Sequence, residues 1–375
     1  MATAAAGEPG PVPSTSTFGA DVVAFHGDHQ AGVDTPQQAH TWFVGLDLRP
    51  GSSREDAVRL MRIWTDDAER LTGGAPALAD HAAQLAVSPA RLTVTLGLGE
   101  RFFDRLGLER RRPASLGPLP DLAIDRLEER WRQTDLLLQV GADDLVTLSH
   151  AVRVLTRDAT SHATVVWVQR GFVPARGSAP DGTTPRNLLG QVDGTENPRP
   201  GTEDLSAAVW AEGPDWFRGG TMLVLRRIRM DLDSWERLSR SGREFAVGRT
   251  LADGAPLTGG TERTPLDLSA TDPLGFPVIS ENAHVRLAHA QTPAERMLRR
   301  GYSYDDSPGA GTISDVGLLF AAYVADIERQ FVPVQRRLAD GDLLNRWTTP
   351  VGSATYAIPP GVRPGHLWCE DLLGP

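Results

Sequence analysis

The chain has 375 residues, 40% of them hydrophobic, and carries a formal net charge of -10. That length accommodates two domains of ordinary size, and the apolar share supports a buried core and argues against disorder. The acidic balance disfavours nucleic acid as a partner, because binding phosphates needs a basic surface, and no apolar run is long enough to span a bilayer. Every Lys/Arg position is arginine, and the single cysteine, Cys369, excludes an intrachain disulfide and any Cys-based zinc or iron–sulfur site.

Residues 1–18 are rich in Ala, Gly, Pro, Ser and Thr and read as a flexible tail. They lack the basic and apolar regions of a signal peptide; the Ala-Thr-Ala-Ala-Ala start fits either the remnant of a cleaved signal or an ordinary N-terminus. Alternating apolar positions predict a strand over Thr41 to Leu48. Residues 53–72 have helical spacing behind the cap-like Ser52, Ser53 and Glu55. Strands are predicted over Arg91 to Leu98, Asp135 to Val140 and Thr164 to Val168, with a helix over Asp143 to Leu155. This order fits a ferredoxin-like α+β half. Residues 173–215 read as a long Gly/Pro/Thr/Asp-rich loop, of the kind that is usually a linker or functional. The pattern then restarts: a strand over Thr221 to Ile228, a helix over Leu232 to Ser241, an irregular stretch over 242–281, a short helix or turn at His284 to Leu287, a strand over 312–323, and a helix over Asp326 to Ala339. The predicted organisation is a tail (1–18), an N-terminal ferredoxin-like domain (19–172), a linker loop (173–215) and a C-terminal ferredoxin-like domain (216–375).

The linker contains Gly190-Gln191-Val192-Asp193-Gly194-Thr195-Glu196-Asn197-Pro198. An acid pinned between glycines, on a turn that also holds Asn and Pro, brings backbone close to something and aims a carboxylate at it. Downstream stand Asn282-Ala283-His284-Val285-Arg286-Leu287 and Leu298-Arg299-Arg300-Gly301-Tyr302. Together these stretches closely resemble the dye-decolorising peroxidases. The resemblance runs from about Val23 onward, and includes Phe25-His26-Gly27-Asp28-His29-Gln30, Gly219-Gly220-Thr221 with the following Arg226 to Met230, and Val247-Gly248-Arg249 ahead of Gly254 to Leu257.

The resemblance implies two ferredoxin-like domains with one haem b (iron protoporphyrin IX) per chain, bound in the C-terminal domain. It implies a peroxidase that reduces hydrogen peroxide through a ferryl intermediate and oxidises bulky organic reductants such as dyes or phenols. His284 is the implied iron ligand, with His289 as a rival placed near the haem edge. Asp326 is implied as the acid that accepts the second N–H of His284, with Glu328 as the fallback; such an acid raises the ligand's donor strength. Asp193 is the implied distal acid and base. A carboxylate, with an ordinary pKa of roughly 4, suits acidic conditions better than a histidine would. Arg299 is implied as the distal cation, one residue of register away from Arg300. Arg249 and Arg286 are candidates for gripping haem propionates through paired hydrogen bonds. Gly194, Thr195 and Glu196 are expected to approach the haem through backbone. Tyr302, Tyr304, Trp216 and Trp347 are candidates for surface aromatics that relay oxidising equivalents.

Two rival readings keep the haem but differ in what it is for. One is a haem-handling protein of iron uptake, and the other is a non-catalytic haem carrier. The implied subgroup is bacterial and exported by the twin-arginine route, so the expectation is an exported mature chain, with a cytoplasmic one as the alternative. The implied partners are hydrogen peroxide and an organic reductant, with a monomer or small homo-oligomer as the assembly.

Overall fold

The computed structural model describes residues 18–180, 182–309 and 312–374, so all of the expected tail except Phe18 lies outside the described residues. The first half runs β1 (His40–Leu48), α1 (Arg54–Thr72), β2 (Thr93–Leu98), α2 (Glu100–Arg105), β3 (Leu136–Ala142), α3 (Leu145–Asp158) and β4 (Ala163–Phe172). Its strands lie antiparallel in the order β4-β1-β3-β2. Helix α1 opens with a capping box: Ser53 and Asp56 each accept from the other's backbone N–H. Ala57, Leu60, Met61, Trp64, Ala68 and Leu71 then recur at helical spacing and are all buried. The Trp64 indole donates to the Leu155 carbonyl at 2.8 Å, which ties α1 to α3.

The loop after β4 carries α4 (Glu203–Val209), capped by Thr202, where the sequence suggests only irregular chain. The second half holds β5 (Thr221–Met230), α5 (Leu232–Glu236), α6 (Arg240–Val247), α7 (His284–Ala288), β6 (Leu298–Asp306), β7 (Asp315–Val324), α8 (Val332–Gly341) and β8 (Thr348–Ile358). Its strands follow the same pattern, β8-β5-β7-β6. Both halves are therefore ferredoxin-like units of an α+β fold. In the second, the crossover from β5 to β6 is expanded into short helices and loop.

Several elements differ from the sequence reading. The helix expected over Leu232 to Ser241 is two helices, because the Ser239 hydroxyl caps a new one by accepting from Gly242 N. The helix expected from Asp326 begins with a π-helical turn, Ile327–Phe331. Pro333 follows it and has no N–H to continue an ordinary α-turn. Strands β6 and β8 escape the sequence reading because the charged residues of the one, and Pro350 and Gly352 of the other, interrupt alternation.

The two sheets close into one eight-stranded barrel. The seams are thin: β2 meets β8 at Leu98 opposite Ala357, and β4 meets β6 at Phe172 opposite Ser303. Apolar and aromatic side chains fill the interior, among them Phe43, Leu137, Leu223, Tyr302, Tyr323 and Tyr356. No helix among the described residues is long and apolar enough to cross a membrane.

Between α1 and α3, buried Asp67 is pushed up to about 7, first by burial and then by the charge of Asp158. A carboxyl whose folded pKa lies above its unfolded value binds its proton more tightly in the native state. Its contribution is present at about pH 4 and is lost as pH rises toward 7. Asp67→Asn should therefore leave the melting temperature near pH 4 unchanged and raise it at pH 8, measured by thermal denaturation at both values. The β4–β6 seam allows a second check. A Cβ on Gly171 would lie 2.6 Å from the Tyr302 Cβ, whereas one on Gly117 meets nothing within 4 Å. Gly171→Ala should cost about 1–3 kcal/mol in denaturant unfolding, and Gly117→Ala within about 0.5 kcal/mol.

Candidate active site

Asp193 sits at the end of a tight turn. Arg186 and Val192 form an antiparallel bridge, and Asp193 N donates to the Pro185 carbonyl at 2.9 Å. Gly190 (φ 81°) and Gly194 (φ 121°) flank it in a backbone region that favours glycine, which explains the spacing in the motif. The Asn187 side chain braces the turn. Its Oδ1 accepts from the N–H groups of Leu189 and Gln191, and its Nδ2 stands 3.4 Å from the Asp193 carboxylate.

Arg299 comes from β6 and lines the same cavity as Asp193, a space of about 160 Å³ also bounded by Gln37, Thr184, Asn187 and Ser303. Alternation along a strand sends the next residue to the opposite face. Arg300 is accordingly buried elsewhere, donating to the Thr35 carbonyl and to the Tyr302 hydroxyl, both neutral acceptors.

His284 opens α7. A Cβ on Gly248 would lie 2.6 Å from Val285 and 3.2 Å from Ala283, so the absence of a side chain there lets the end of α6 pack against this helix. His284 Nδ1 lies 2.6 Å from Asp342 Oδ2. Asp342 is almost fully buried at the end of α8, and its other oxygen accepts from Leu344 N at 2.9 Å. Asn282 stitches the two elements together: its carbonyl accepts from Leu343 N and its side-chain amide donates to the Gly341 carbonyl. Burial alone would lower the His284 pKa. The charge and hydrogen bond of Asp342 outweigh it and raise the pKa, Asp193 adds to the rise, and Arg299 opposes it. The charges of Asp193 and Arg299 are thus within electrostatic reach of His284, although the three residues come from separate segments.

The acid on His284 is therefore Asp342 and not Asp326. Asp326 caps the π-helical turn by accepting from Arg329 N, and its own N–H is taken by Gln330. The fallback, Glu328, belongs to that same turn. Arg286 donates through Nε and one terminal nitrogen to the carbonyls of Leu268, Ile279 and Ser280, fastening the preceding loop. Arg249 is buried and commits one nitrogen to the carbonyls of Gly254 and Glu262, while another lies 3.7 Å from Glu196. Burial, and then the charge of Arg299, pull its pKa down against the two nearby glutamates. The Thr195 hydroxyl bonds Glu262, which also receives the Thr184 hydroxyl. No motif marks Glu262 in the sequence, yet it bridges the two ends of the Asp193 turn. His289 is exposed, and its carbonyl accepts from Arg337. Tyr302, Tyr304 and Trp216 are buried and Trp347 is half-buried, so none of them is an exposed surface aromatic.

The model of the C-terminal part of Dyp-type peroxidases matches residues 184–363, and that of the N-terminal part matches residues 30–173. A dye-decolorizing peroxidase of Thermobifida fusca is 41% identical over 359 residues, covering 92% of this chain and 83% of that protein. A deferrochelatase of Escherichia coli is 34% identical over 369 residues, covering 93% and 86%. Among solved structures, a DyP-type peroxidase of Cellulomonas bogoriensis superposes with a TM-score of 0.93 at 50% identity, covering 96% of this chain and all of that one. Ferric DtpA of Streptomyces lividans superposes at 0.92 with 42% identity, covering 97% and 100%. The chain belongs to the Dyp-type peroxidase family. It is a haem-dependent peroxidase.

The residues present fit that cofactor. His284 has one ring nitrogen fixed by a buried carboxylate and the other left for iron. Arg249 and Arg299 place two cations within electrostatic reach of each other, an arrangement that suits an anionic group such as a propionate or a peroxide. Asp342→Asn keeps the shape but removes the charge behind the ligand. It should lower haem affinity or peroxidase activity about 10–100-fold, whereas Asp326→Asn should leave both unchanged; haem titration of the apoprotein and steady-state turnover make the comparison.

Proposed function

We propose that the chain reduces hydrogen peroxide in the cavity shared by Asp193 and Arg299 and oxidises organic reductants, dyes or phenols among them, too large to enter it. The observation that carries this reading is the convergence of the two side chains, which come from different segments, on one space of about 160 Å³. That space is large enough for a peroxide molecule. It is smaller than the roughly 300–1,000 Å³ of typical pockets for larger organic ligands.

Haem, when bound, supplies the iron at which the peroxide O–O bond is cleaved and a macrocycle that stores oxidising equivalents. His284 would hold the iron, and Asp342, bonded to its Nδ1, would raise the donor strength of the other nitrogen. Asp193 takes a proton from one peroxide oxygen and returns it to the other, which leaves as water. Arg299 holds a permanent positive charge beside the oxygens on which negative charge develops. Asn187 braces the turn so that the carboxylate faces the cavity.

The rival reading, a protein that extracts iron from haem, is supported by the relatives named deferrochelatase at 34% identity. A non-catalytic haem carrier has no need of both a proton-transferring carboxylate and a fixed cation in one cavity. The higher identity to proteins named peroxidases agrees with the first reading.

Asp193→Asn keeps the size of the side chain and loses its base. With haem fully loaded, the rate at which hydrogen peroxide changes the ferric Soret band in stopped flow should fall by about 10²–10⁴-fold. Arg299→Leu should lower it by about 10²–10³-fold, and Arg300→Leu far less, since its guanidinium is turned away to the Thr35 carbonyl and the Tyr302 hydroxyl. An unchanged rate in Asp193→Asn moves proton transfer to water held by Arg299. Equal losses in the two arginine variants refute the assignment of Arg299.

A further inference from the structure

The N–H and C=O of a strand residue point to the same side, and successive residues alternate between the two neighbouring strands. On one side, β6 is fully paired with β7, from Leu298 opposite Tyr323 to Asp306 opposite Asp315. On the other it meets β4 only where Ser303 faces Phe172. The backbone groups of residues 299 and 301 on that side need other partners, because an unpaired strand edge leaves polar groups unsatisfied. The Gly301 carbonyl accepts from the Gln37 side-chain amide at 2.8 Å. At Arg299 both backbone groups are taken by one side chain: Asn197 Nδ2 donates to the Arg299 carbonyl at 2.7 Å, and Asn197 Oδ1 accepts from Arg299 N at 3.1 Å. The same oxygen lies 3.5 Å from Arg299 Nε, at the root of the guanidinium.

Asn197 belongs to the turn that carries the catalytic acid. Its own N–H donates to the Gly194 carbonyl at 3.0 Å, closing a tight turn immediately after Asp193. A carboxamide offers one acceptor and two donors, as a neighbouring strand's backbone offers an acceptor and a donor. Aspartate in its place could only accept, and alanine could do neither.

We propose that Asn197 is a positioning residue that stands in for a missing strand neighbour of β6, clamping Arg299 to the Asp193 turn so that the acid and the cation keep a fixed separation across the cavity. The inference rests on the functional reading of Asp193 and Arg299 above. It gives a role to the end of the Gly190–Pro198 motif, where no chemistry is otherwise placed. A displacement of about 1 Å at such a site costs on the order of 10²-fold in rate.

The test is a double-mutant cycle on haem-loaded protein, with the peroxide rate constant and the affinity for fluoride, titrated by absorbance, as two readouts. Fluoride on the ferric iron senses the guanidinium without any turnover. Asn197→Ala should lower the peroxide rate constant about 10–100-fold and weaken fluoride binding, at an unchanged ratio of Soret to protein absorbance. In the Arg299→Leu background the same change should add nothing further to either readout, since residues that act through one another are not additive. Asn197→Gln keeps both the donor and the acceptor on an arm one methylene longer, so it should load haem and show a smaller loss than Asn197→Ala; this variant carries the test if the alanine variant folds poorly. Additive losses in the double variant would overturn the clamp and leave Asn197 a general structural residue. So would an unaltered rate and fluoride affinity in both Asn197 variants while Arg299→Leu is impaired. An Arg299→Leu protein with undiminished rate overturns the reading of the site itself, and the clamp with it.

Discussion

Closing two ferredoxin-like sheets into one barrel leaves the first part of β6 without a strand on the side away from β7. The site depends on how that edge is filled. The β4–β6 seam is a single residue pair, Phe172 and Ser303. Beyond it the chain leaving β4 does not continue as a strand. It runs into the loop that carries Asp193 and returns through Asn197 to the edge of β6. The same geometric fact therefore brings the acid and the cation together: Arg299 lies on the unpaired edge, and the loop that satisfies this edge presents Asp193. The cavity between them is the gap left where sheet gives way to loop.

The opposite half of the site obeys a different logic. His284 and Asp342 are held by the ends of two short helices, stitched by Asn282, inside the expanded crossover from β5 and just before β8. Burying a carboxylate is costly unless it is paired. Asp342 meets that requirement with the His284 ring on one oxygen and a backbone N–H on the other. The pair is directional, since it fixes which imidazole nitrogen is bonded and leaves the other for a ligand. The charges of Asp342, Asp193 and Arg299 thus all act on His284, and that of Arg299 acts on Arg249.

The supporting residues form a second layer that is mostly neutral. Asn187 and Asn197 brace the Asp193 turn from its two sides, and Glu262 receives hydroxyls from Thr184 and Thr195. Burial would raise the Glu262 pKa, but those two hydroxyl donors hold it below its ordinary value. Amide and hydroxyl groups fix positions without adding charge beside the reacting groups.

Much of this protein was legible in its sequence. Periodicity of 2 and 3.6 residues marks β1, α1, β2, β3, α3, β4, β5 and β7, because each has one regular apolar pattern that local geometry imposes. The glycine-flanked turn around Asp193 is also local, because Gly190 and Gly194 adopt backbone angles that favour glycine. The acid behind His284 was not legible. Asp326 and Asp342 both lie near helix termini in chemically similar contexts, and nothing local distinguishes them. Only the fold decides, by placing the end of α8 against the start of α7 and leaving Asp326 to cap its own turn. The partners of Arg286 were not legible either: they are the carbonyls of an adjoining loop, which no local pattern announces. Strands β6 and β8 were hidden because charged residues, Pro350 and Gly352 interrupt their alternation, and the closure of both sheets into a barrel was hidden because pairing between distant segments leaves no period in the chain. Local turns and apolar periods, written along the chain, establish which residue types are available to meet. Folding selects which of several equivalent acids and cations do meet, because partner choice depends on long-range contacts that local pattern does not encode.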